Sequence, residues 1–311
     1  MTELTIATVG IHVLDVHVVG IESIPRGSDG ALVESIGVSP AGTAGGTAVV
    51  LSRLGARVRT HGAVGADPLG QTLTALLGGY GVDTGGLITA TSAQTSGSVI
   101  PVRPNGDRPA WHCVGANAAF TPADLAPDAL DGIDHLHLGG PEFLGGEAAG
   151  QLLSLARERG IGTSVDILAP GDPGLLQWIA GALPHTDFLL PNDEQVRGFT
   201  GTDDLEAGAR ALLEHGVGCV ALTRGAEGAL VVTPETTVEV PAFAVDVVDT
   251  TGCGDAFSAG FVTGWLRYRD LGRAARLGCA VAAQVAQGVG TGAGDYDFAR
   301  VEEFAAVAPT R

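Results

Sequence analysis

Short apolar segments alternate with amphipathic helical patterns along most of this chain, and this alternation is the strongest constraint on its fold. The segments RVRTHGAVG (57–65), IDHLHLGG (133–140) and CVALTRG (219–225) are apolar over most of their length, which is typical of parallel strands buried on both faces. Helical patterns such as PLGQTLTALLGGYG (68–81) and DDLEAGARALLEHG (203–216) each end at a glycine. The order predicts an α/β fold with a mostly parallel sheet and helices on both faces.

Two segments depart from this alternation of strand and helix. Residues 16–38 and 96–115 have strand-like patterns without a helix, and we expect them to pair as a small accessory sheet. Residues 254–308 are helical almost throughout. Because no linker or internal repeat divides the chain, we expect a single domain over residues 1–311, with 16–38 and 96–115 as its sub-domain.

Polar residues follow several of the predicted strands at their carboxyl ends. In open α/β sheets, ligands bind beyond these ends, so the residues are candidates for one site. Strand ends are also where loops must place polar residues for structural reasons, and this alternative stays open. The residues concerned are Asp15, Gly139, Gly140, Glu142, Asp166, Asn192 and the segment 223–225.

The charged residues of the 311-residue chain exclude several classes of function. The 17 basic residues are all arginines, and 35 acidic residues bring the net charge to −18, so we expect no nucleic-acid partner. The absence of lysine excludes a P-loop nucleotide-binding site, a protein-kinase site and lysine-bound pyridoxal phosphate. The early glycine-rich segment AGTAGGTA (41–48) also lacks the spacing of a dinucleotide-binding fingerprint.

The chain shows no sign of export or membrane insertion. Its first residues, MTELTIATVG, lack the basic and apolar regions of a signal peptide. No run of about 18 apolar residues occurs, so we expect a cytoplasmic protein with no membrane partner. The four cysteines stand singly, without metal-ligand spacing, and are expected to be free thiols: Cys113, Cys219, Cys253 and Cys279.

The segment DTTGCGDAF (249–257) has the features of an anion-binding helix N-terminus. Its glycines allow the backbone to approach a ligand closely, and the first amides of a helix are unpaired and carry partial positive charge. Asp255 is either a simple helix cap or a general base beside the bound anion. A carboxylate next to a phosphate site is unfavourable unless it takes part in chemistry, which favours the general base.

This segment resembles the C-terminal signature of the ribokinase-like (PfkB) carbohydrate kinases, usually D-T-x-G-A-G-D. The resemblance covers essentially the whole chain, with the other motifs in the family's order. Those motifs are GIHVLD (10–15), AGTAGGTAVVLSRLGA (41–56), GAVGADPLG (62–70), GAN (115–117), HLHLGG (135–140), LLPNDEQV (189–196) and TRGAEGA (223–229).

The resemblance implies a ribokinase-like three-layer sandwich with a mostly parallel central sheet and a small β-sheet lid formed by 16–38 and 96–115. It implies an ATP-dependent kinase that transfers the γ-phosphate to a hydroxyl of a small sugar. The expected cofactors are ATP and Mg²⁺, with K⁺ as a further candidate, and the expected assembly is a homodimer through the lid.

The resemblance also assigns roles to individual residues. Asp255 is the expected general base, and the amides of Gly252, Cys253 and Gly254 are the expected anion hole. The candidates for the acceptor site are Asp15, Gly42, Gly46, Glu142 and the lid residue Trp111, for which simple packing is an equal alternative. The candidates for the nucleotide site are Asn192, Thr223, Arg224, Gly225 and Gly228. The candidates for a monovalent-cation site are Asp249 and Thr251.

The sequence departs from the family pattern at two positions that bear on substrate and metal. Gly46 stands where a sugar-binding asparagine is usual, which removes an amide and predicts added space in the acceptor pocket. Gln195 replaces the glutamate of the Asn-x-x-Glu motif associated with magnesium, with Glu194 one residue early. Metal is then expected to be held through Glu194 or mainly through water and ATP oxygens.

Two other functions remain open on the sequence alone. A nucleoside kinase on the same fold needs an apolar slot for the base, which Gly46 and Trp111 would supply. A catalytically inactive sugar sensor would also explain the departures, although an intact Asp255 with its flanking glycines argues against it.

Overall fold

The computed structural model describes residues 3–103 and 108–311. The strands in chain order are β1 (Thr5–Gly10), β2 (Val13–Val19), β3 (Ser35–Ala41), β4 (Arg57–Gly65), β5 (Asp83–Ala90), β6 (Gly97–Val102), β7 (Trp111–Cys113), β8 (His135–Gly139), β9 (Gly162–Asp166), β10 (Phe188–Leu189), β11 (Cys219–Thr223), β12 (Ala229–Val232) and β13 (Thr237–Val240). The helices are α1 (Gly45–Arg53), α2 (Pro68–Gly79), α3 (Pro141–Leu144), α4 (Gly146–Glu158), α5 (Pro173–Ile179), α6 (Asp193–Thr200), α7 (Leu205–Leu213), α8 (Cys253–Tyr268), α9 (Leu271–Val285) and α10 (Phe298–Val307).

The larger sheet confirms the expected α/β class. Within the described residues it contains nine strands in the order β13-β12-β11-β10-β9-β8-β1-β4-β5. The strands from β11 to β5 pair in parallel, and β12 and β13 extend the sheet as antiparallel strands. The carboxyl ends of the parallel strands therefore meet along one edge, where ligands of such sheets bind.

Helices cover both faces of this sheet and form two hydrophobic clusters. One cluster takes buried side chains from α1, α2, α8, α9 and α10, including Phe257 and Phe261. The other takes them from α4, α5, α6 and α7, including Leu153 and Leu212. Burial of both sheet faces explains why the strand segments read as nearly continuous apolar runs.

Aspartate side chains begin several of the helices. In each case the carboxylate accepts hydrogen bonds from amides of the first turn, which otherwise lack partners. A proline at the next position assists α2 and α5. The capping residues are Asp67, Asp172, Asp204, Asp270 and Asp297.

The smaller sheet has the order β3-β2-β6-β7 and lies beside the carboxyl edge of the larger one. Its strands extend beyond the expected segment 16–38, because β2 begins at Val13 and β3 continues to Ala41. The Asn117 side chain clamps the bend between β1 and β2, accepting from the His12 amide at 3.1 Å and donating to its carbonyl at 3.0 Å. Of the expected segment 96–115, residues 104–107 lie outside the described residues.

Within the part of the chain that the structure describes, no helix is both long enough and apolar enough to cross a membrane.

Candidate active site

A cavity of about 450 Å³ opens at the carboxyl edge of the larger sheet, beneath the smaller one. It draws its lining from both sheets and from the start of α8, so elements distant in sequence converge on it. Its lining includes Asp15, Gly42, Thr43, Arg108, Asp166, Asn192, Thr223, Thr251, Gly252, Gly254 and Asp255. We call this cavity the cleft.

The start of α8 supplies unpaired backbone amides to the cleft. Gly252 caps the helix in a left-handed conformation (φ 76°), and a β-carbon there would overlap Thr291. Among the described residues, no acceptor pairs with the amides of Gly252, Gly254 or Asp255. The Cys253 amide differs, since it donates to the Thr250 carbonyl at 3.2 Å. The expected anion hole therefore loses Cys253 as a donor, and the Asp255 amide is the alternative third donor.

The Asp255 side chain lies at the floor of the cleft, against Gly46. A β-carbon at Gly46 would overlap Oδ2 of Asp255, and its other near neighbour would be Thr291. This corrects the expectation that Gly46 adds space for substrate, because the carboxylate of Asp255 already fills the space. Gly46 makes room for Asp255 rather than for the acceptor.

Burial and neighbouring charge raise the pKa of Asp255 well above its usual range. Desolvation is the largest cause, and the carboxylates of Asp166 and Asp15 add to it by disfavouring a third negative charge nearby. A carboxylate with a raised pKa is a stronger base when ionised, which suits proton abstraction from a hydroxyl.

Asp166 is a cleft residue to which the sequence gives no role. It ends β9, is buried, and its Oδ2 accepts from the Ser258 hydroxyl of α8 at 3.0 Å. Burial raises its pKa to about 7, while the Ser258 hydrogen bond acts in the opposite direction. The sequence does place Asp166, like Asp15 and Asn192, among the polar residues expected at strand ends. Its hydrogen bond with Ser258 of α8 depends on tertiary structure and has no signal in the sequence.

Asp15 lies on β2, in the roof of the cleft. It is 5% exposed, and desolvation raises its pKa, opposed by a hydrogen bond from Ser98 and by the nearby imidazoles of His17 and His112. Gly42, at the end of β3, has a φ of 87°, and a β-carbon there would overlap the Ile11 carbonyl. These two expected acceptor-site residues therefore both line the cleft.

Asn192 and Gln195 form a capping box at the start of α6. Oδ1 of Asn192 accepts from the Gln195 amide at 2.8 Å, and Oε1 of Gln195 accepts from the Asn192 amide at 2.9 Å. The Gln195 Nε2 donates to the carbonyls of Ile167 and Ala169, which fixes the loop after Asp166. Both polar atoms of the Gln195 side chain thus form hydrogen bonds with the backbone. Glu194 lies on α6 outside the cleft lining.

Glu142 supports the cleft from outside its lining. Its Oε1 accepts from the amides of Leu168 and Ala169, both at 2.9 Å, and so holds the loop that follows Asp166. The expectation that Glu142 contacts the acceptor is corrected, because the side chain points at this loop backbone. It acts on the cleft through the position of Leu168, which does line it.

Asp249 and Thr251 interact with an arginine from the segment just before β7. Arg108 Nη1 donates to the Thr251 hydroxyl at 2.8 Å, and its Nε lies 3.7 Å from Oδ1 of Asp249. The Asp249 carboxylate also accepts from the Thr251 amide and hydroxyl and from the Gly290 amide. The Arg108 guanidinium therefore lies close to both expected K⁺ ligands, and the K⁺ site stays a prediction.

A second cavity of about 380 Å³ adjoins the cleft and is mainly apolar. Thr223, Thr250, Gly254 and Phe257 line both cavities, so the two are continuous at the start of α8. Burial raises the pKa of the Cys253 thiol to about 12, so this sulfur is an apolar lining group. The lining of the second cavity also includes Gly225, Ala226, Gly228, Phe243, Val245, Cys253, Cys279, Ala282 and Ala286.

Arg224 and Trp111 are further expected site residues that line neither cavity. Arg224 turns toward the β12–β13 hairpin, where its Nη2 lies 3.5 Å from Oε2 of Glu239 and 3.5 Å from the Ala229 carbonyl. Trp111 is 55% exposed on β7 and lines a separate 200 Å³ pocket with Ile24 and Pro109. For Arg224, these partners set the direction of a long side chain that the motif alone could not specify.

Known proteins share this fold and sequence pattern. Residues 4–297 match the model of the pfkB family carbohydrate kinases. An ATP-dependent ribose-1-phosphate kinase of Halopiger xanaduensis is 29% identical over 82% of this chain and 82% of its own length. A nucleoside kinase of Methanothermobacter thermautotrophicus is 26% identical over 88% of this chain and 87% of its own length. The structure of Arabidopsis thaliana ribokinase complexed with ribose and ATP has a TM-score of 0.83 at 19% identity, covering 98% of this chain and 100% of that one.

Proposed function

This chain belongs to the pfkB family of carbohydrate kinases, and from that premise we propose that it transfers the γ-phosphate of ATP to a hydroxyl of a small sugar, with Asp255 as the general base. The observation that carries the proposal is the position of Asp255. Its carboxylate lies beside unpaired amides at the start of α8, in the cleft that Asp15 and Gly42 also line.

The two cavities divide the substrates between them. The apolar cavity suits the flat base of ATP, with Gly225 and Gly228 allowing close approach of the backbone. The polar cleft suits the sugar, because Asp15 can accept hydrogen bonds from two hydroxyls. The phosphates would then lie at the shared boundary, against the first amides of α8.

The proposed reaction is an in-line displacement. The Asp255 carboxylate takes the proton from the acceptor hydroxyl, and that oxygen forms a bond to the γ-phosphorus. The bond from this phosphorus to the β,γ-bridging oxygen breaks, and the electron pair leaves with ADP. The amides of Gly252, Gly254 and Asp255 donate to the phosphate oxygens on which charge develops.

Asp166 and Asp255 are the residues that fit Mg²⁺. Both offer carboxylate oxygens, the ligands that Mg²⁺ prefers. Burial is the largest cause of their raised pKa values, with Glu142 adding to that of Asp166 and Asp166 and Asp15 adding to that of Asp255, and a bound cation would offset this negative charge. When bound with ATP, Mg²⁺ neutralises charge on the phosphate oxygens.

A second candidate acceptor is a sugar that already carries a phosphate. Arg108 brings a guanidinium from the side of the smaller sheet to the cleft, and its side chain is 38% exposed. A guanidinium recognises phosphate through paired hydrogen bonds. The relative from Halopiger xanaduensis is named for ribose 1-phosphate, which agrees with this second candidate.

The nucleoside kinase alternative requires an apolar slot for the nucleoside base, which the sequence assigned to Gly46 and Trp111. Neither residue forms such a slot in the cleft. Asp255 fills the space beside Gly46, and Trp111 lines a different pocket. Neither residue is available to contact a nucleoside base in the cleft. We therefore rank a nucleoside acceptor below a sugar or a sugar phosphate.

The smaller sheet is proposed as both lid and dimer interface. Its outer surface is apolar, with Ile36, Val38, Val99 and Trp111 between 41% and 69% exposed. The strand register places Val38, Val16, Val99 and Trp111 in one row across the sheet. A continuous apolar row on a domain surface is typical of a protein interface, and one self-complementary patch favours a symmetric dimer.

A substrate-dependent ADP-release screen tests the proposed function. The panel would contain pentoses, hexoses, their 1-phosphates and nucleosides, each with MgATP. We expect turnover on a sugar or sugar phosphate, and turnover about 10²–10⁴-fold slower with Asp255→Asn. Turnover on nucleosides alone would contradict the proposed acceptor, and sugar binding without any ADP release would indicate a sensor.

A further inference from the structure

A third cavity, of about 450 Å³, lies at the opposite edge of the larger sheet, where β8, β9, β10 and β11 begin. We call it the rear cavity. Its lining includes charged, aromatic and imidazole side chains that the proposed reaction does not use. Among the residues that line it are Asp134, His135, Gly162, Asp187, Trp265 and Arg269.

A buried chain of hydrogen bonds runs from the rear cavity to the cleft. His135 Nε2 lies 2.8 Å from the Ser164 hydroxyl, which lies 2.9 Å from His137 Nδ1. The other nitrogen of His137, Nε2, lies 3.0 Å from the carbonyl oxygen of Thr43, a residue of the cleft lining. We call these four residues the relay.

The direction of each hydrogen bond in the relay follows from its Thr43 end. A carbonyl oxygen only accepts, so His137 Nε2 carries a proton. Both imidazoles are fully buried, which lowers their pKa values to about 4 for His137 and about 3 for His135 and keeps them neutral. His137 Nδ1 therefore accepts from Ser164, and Ser164 accepts from His135 Nε2. The remaining nitrogen, His135 Nδ1, is left as an acceptor.

This acceptor nitrogen has no donor among the described residues and is completely buried. Leaving such a group unpaired is unfavourable, so an unused acceptor at the wall of a cavity indicates a missing donor. Nδ1 faces Gly162, where a β-carbon would lie 2.9 Å from it and 3.9 Å from Oδ2 of Asp187. The missing side chain at Gly162 thus leaves one edge of the cavity open toward an imidazole acceptor and a carboxylate. Oδ2 of this carboxylate also accepts from the Thr163 amide at 2.9 Å, and its Oδ1 lies 3.8 Å from Arg157 Nε.

The same cavity also contains an arginine that lies against an aromatic ring. Among the described residues, no carboxylate forms an ion pair with Arg269, whose guanidinium carbon lies 5.5 Å from the centre of the Trp265 ring. Arg269 has a φ of 53°, a left-handed conformation that is uncommon for residues other than glycine. The acceptors beside Gly162 and the guanidinium beside Trp265 suit ligand groups of opposite charge.

We propose that the rear cavity binds a small zwitterion, with its primary ammonium toward His135 and Asp187 and its carboxylate on Arg269, and that this ligand changes acceptor-sugar affinity through the relay. The ammonium donates a hydrogen bond to the unpaired His135 Nδ1 and forms an ion pair with the Asp187 carboxylate, and the Arg269 guanidinium pairs with the carboxylate of the ligand. At the other end of the relay, Thr43 follows Gly42 in the loop that lines the acceptor side of the cleft. The effect on sugar affinity rests on the proposed function, whereas binding of the zwitterion does not.

Helix α8 connects the same two sites independently of the relay. Asp255 lies in its first turn, Trp265 lies near its end, and Arg269 caps that end. Its 16 residues span about 24 Å at 1.5 Å per residue. A ligand that fixes the end of this helix would also act on the position of its start.

The test uses the intact protein and four ω-amino acids of increasing length: glycine, β-alanine, 4-aminobutyrate and 5-aminopentanoate. Calorimetric titration and thermal melting are measured for each, alongside the matched amines and carboxylates that carry one charge only. We expect at least one amino acid to bind saturably at millimolar concentration or below and to raise the melting temperature. Absence of binding by all four, or equal binding by a single-charge analogue, would overturn the proposal.

Two variants locate the ligand, and each has a matched control. Gly162→Ala places a methyl group over His135 Nδ1, and its control is Gly79→Ala, where a new β-carbon meets nothing within 4 Å. Arg269→Gly removes the guanidinium while relieving the left-handed backbone, so folding is retained, and its control is Arg273→Ala, an arginine that stacks on Tyr268. Binding should be lost in the two cavity variants and kept in both controls. Unchanged binding in either cavity variant would refute the site.

Coupling to the cleft is tested with Ser164→Ala, which breaks the relay at a residue outside the lining of the rear cavity. In wild type, we expect the bound amino acid to change the KM for the acceptor about 5-fold or more, as is typical of coupled sites. In Ser164→Ala, we expect binding to persist and this change to disappear. An unchanged KM in wild type, or full coupling in Ser164→Ala, would refute the relay. Turnover without the amino acid tests only the proposed kinase function. Failure of that function can therefore be distinguished from failure of the proposed rear-cavity site.

Discussion

Gly46 of α1 lies directly against the carboxylate of Asp255, so that any side chain at position 46 would overlap Oδ2. The two residues are 209 positions apart in sequence and meet because α1 packs against the start of α8. The family pattern suggests a substrate contact at position 46, but the glycine there instead leaves room for the carboxylate of the proposed general base.

The first prediction follows from this contact. Gly46→Ala should push the Asp255 carboxylate out of place and lower kcat by about 10- to 100-fold, since displacements of about 1 Å cost rates of this size. The fold should be retained because alanine favours a helix over glycine. Steady-state kinetics and thermal melting check this, with Gly78→Ala as a control whose methyl group meets nothing within 4 Å. Unchanged kcat in Gly46→Ala would show that Asp255 is not held by this contact.

The second prediction concerns pH. The proposed base acts only when ionised, so kcat/KM should fall as pH drops through the raised pKa of Asp255. The Asp166 charge contributes to that raised pKa, so Asp166→Asn should move this acid limb to lower pH. The quantity to compare is the pH at which kcat/KM falls, because the maximum value of kcat/KM also depends on metal binding. Glu303→Gln, on the exposed face of α10, is the control. A limb that stays in place would remove Asp166 as a cause.

The third prediction separates the two substrates. Asp15→Ala should weaken acceptor binding by about 1.5–3 kcal/mol, the usual value for hydrogen bonds to a charged group, and leave ATP binding unchanged. Calorimetric titration with each ligand measures both affinities. Asp15→Asn keeps one acceptor oxygen and should lose less. Equal weakening of ATP and acceptor would contradict a place for Asp15 in the acceptor site.

The fourth prediction concerns assembly. Val38→Asp and Val99→Asp place charges in the apolar row of the smaller sheet, and each should convert the proposed dimer into a monomer. The fold should remain stable because both side chains are more than 40% exposed. Sedimentation analysis measures the oligomeric state, with Leu155→Asp, an exposed position on α4, as the control. A wild-type protein that sediments as a monomer would refute the interface.

The fold was largely predictable because buried strands and amphipathic helices leave a strong periodic signal. The bounds of the strands in the smaller sheet were harder to predict from the sequence. Its strand β2 continues almost directly from β1, and the bend between them depends on Asn117, which is 105 positions from His12 in the sequence. A contact at that separation leaves no local pattern in the sequence.

The backbone alone sets the positions of some of the predicted site residues. Asp255, Gly252 and Gly254 come together because one short segment builds the start of α8, and their catalytic roles remain proposals. Long side chains were less predictable. Arg224 and Glu142 turn to partners outside their own motifs, an ion pair on β13 and the loop after β9.

Several contacts in the site join residues that are far apart in the sequence. Arg108 reaches Asp249 and Thr251 from the segment before β7, and Asp166 meets Ser258 of α8. Gln195 stands where the family pattern has a glutamate associated with magnesium, and its hydrogen bonds show a capping residue that also fixes the loop after Asp166. Apart from the local capping box of Asn192 and Gln195, these contacts depend on tertiary neighbours rather than on a motif.

The most direct test of the proposed mechanism is the turnover of Asp255→Asn on the acceptor identified by the ADP-release screen, measured together with its affinity for acceptor and ATP. The amide of asparagine has nearly the same shape as the carboxylate but cannot take the proton. We expect both ligands to bind with near wild-type affinity while kcat falls by about 10²–10⁴-fold. A variant that retains more than about a tenth of wild-type kcat would show that Asp255 is not the general base.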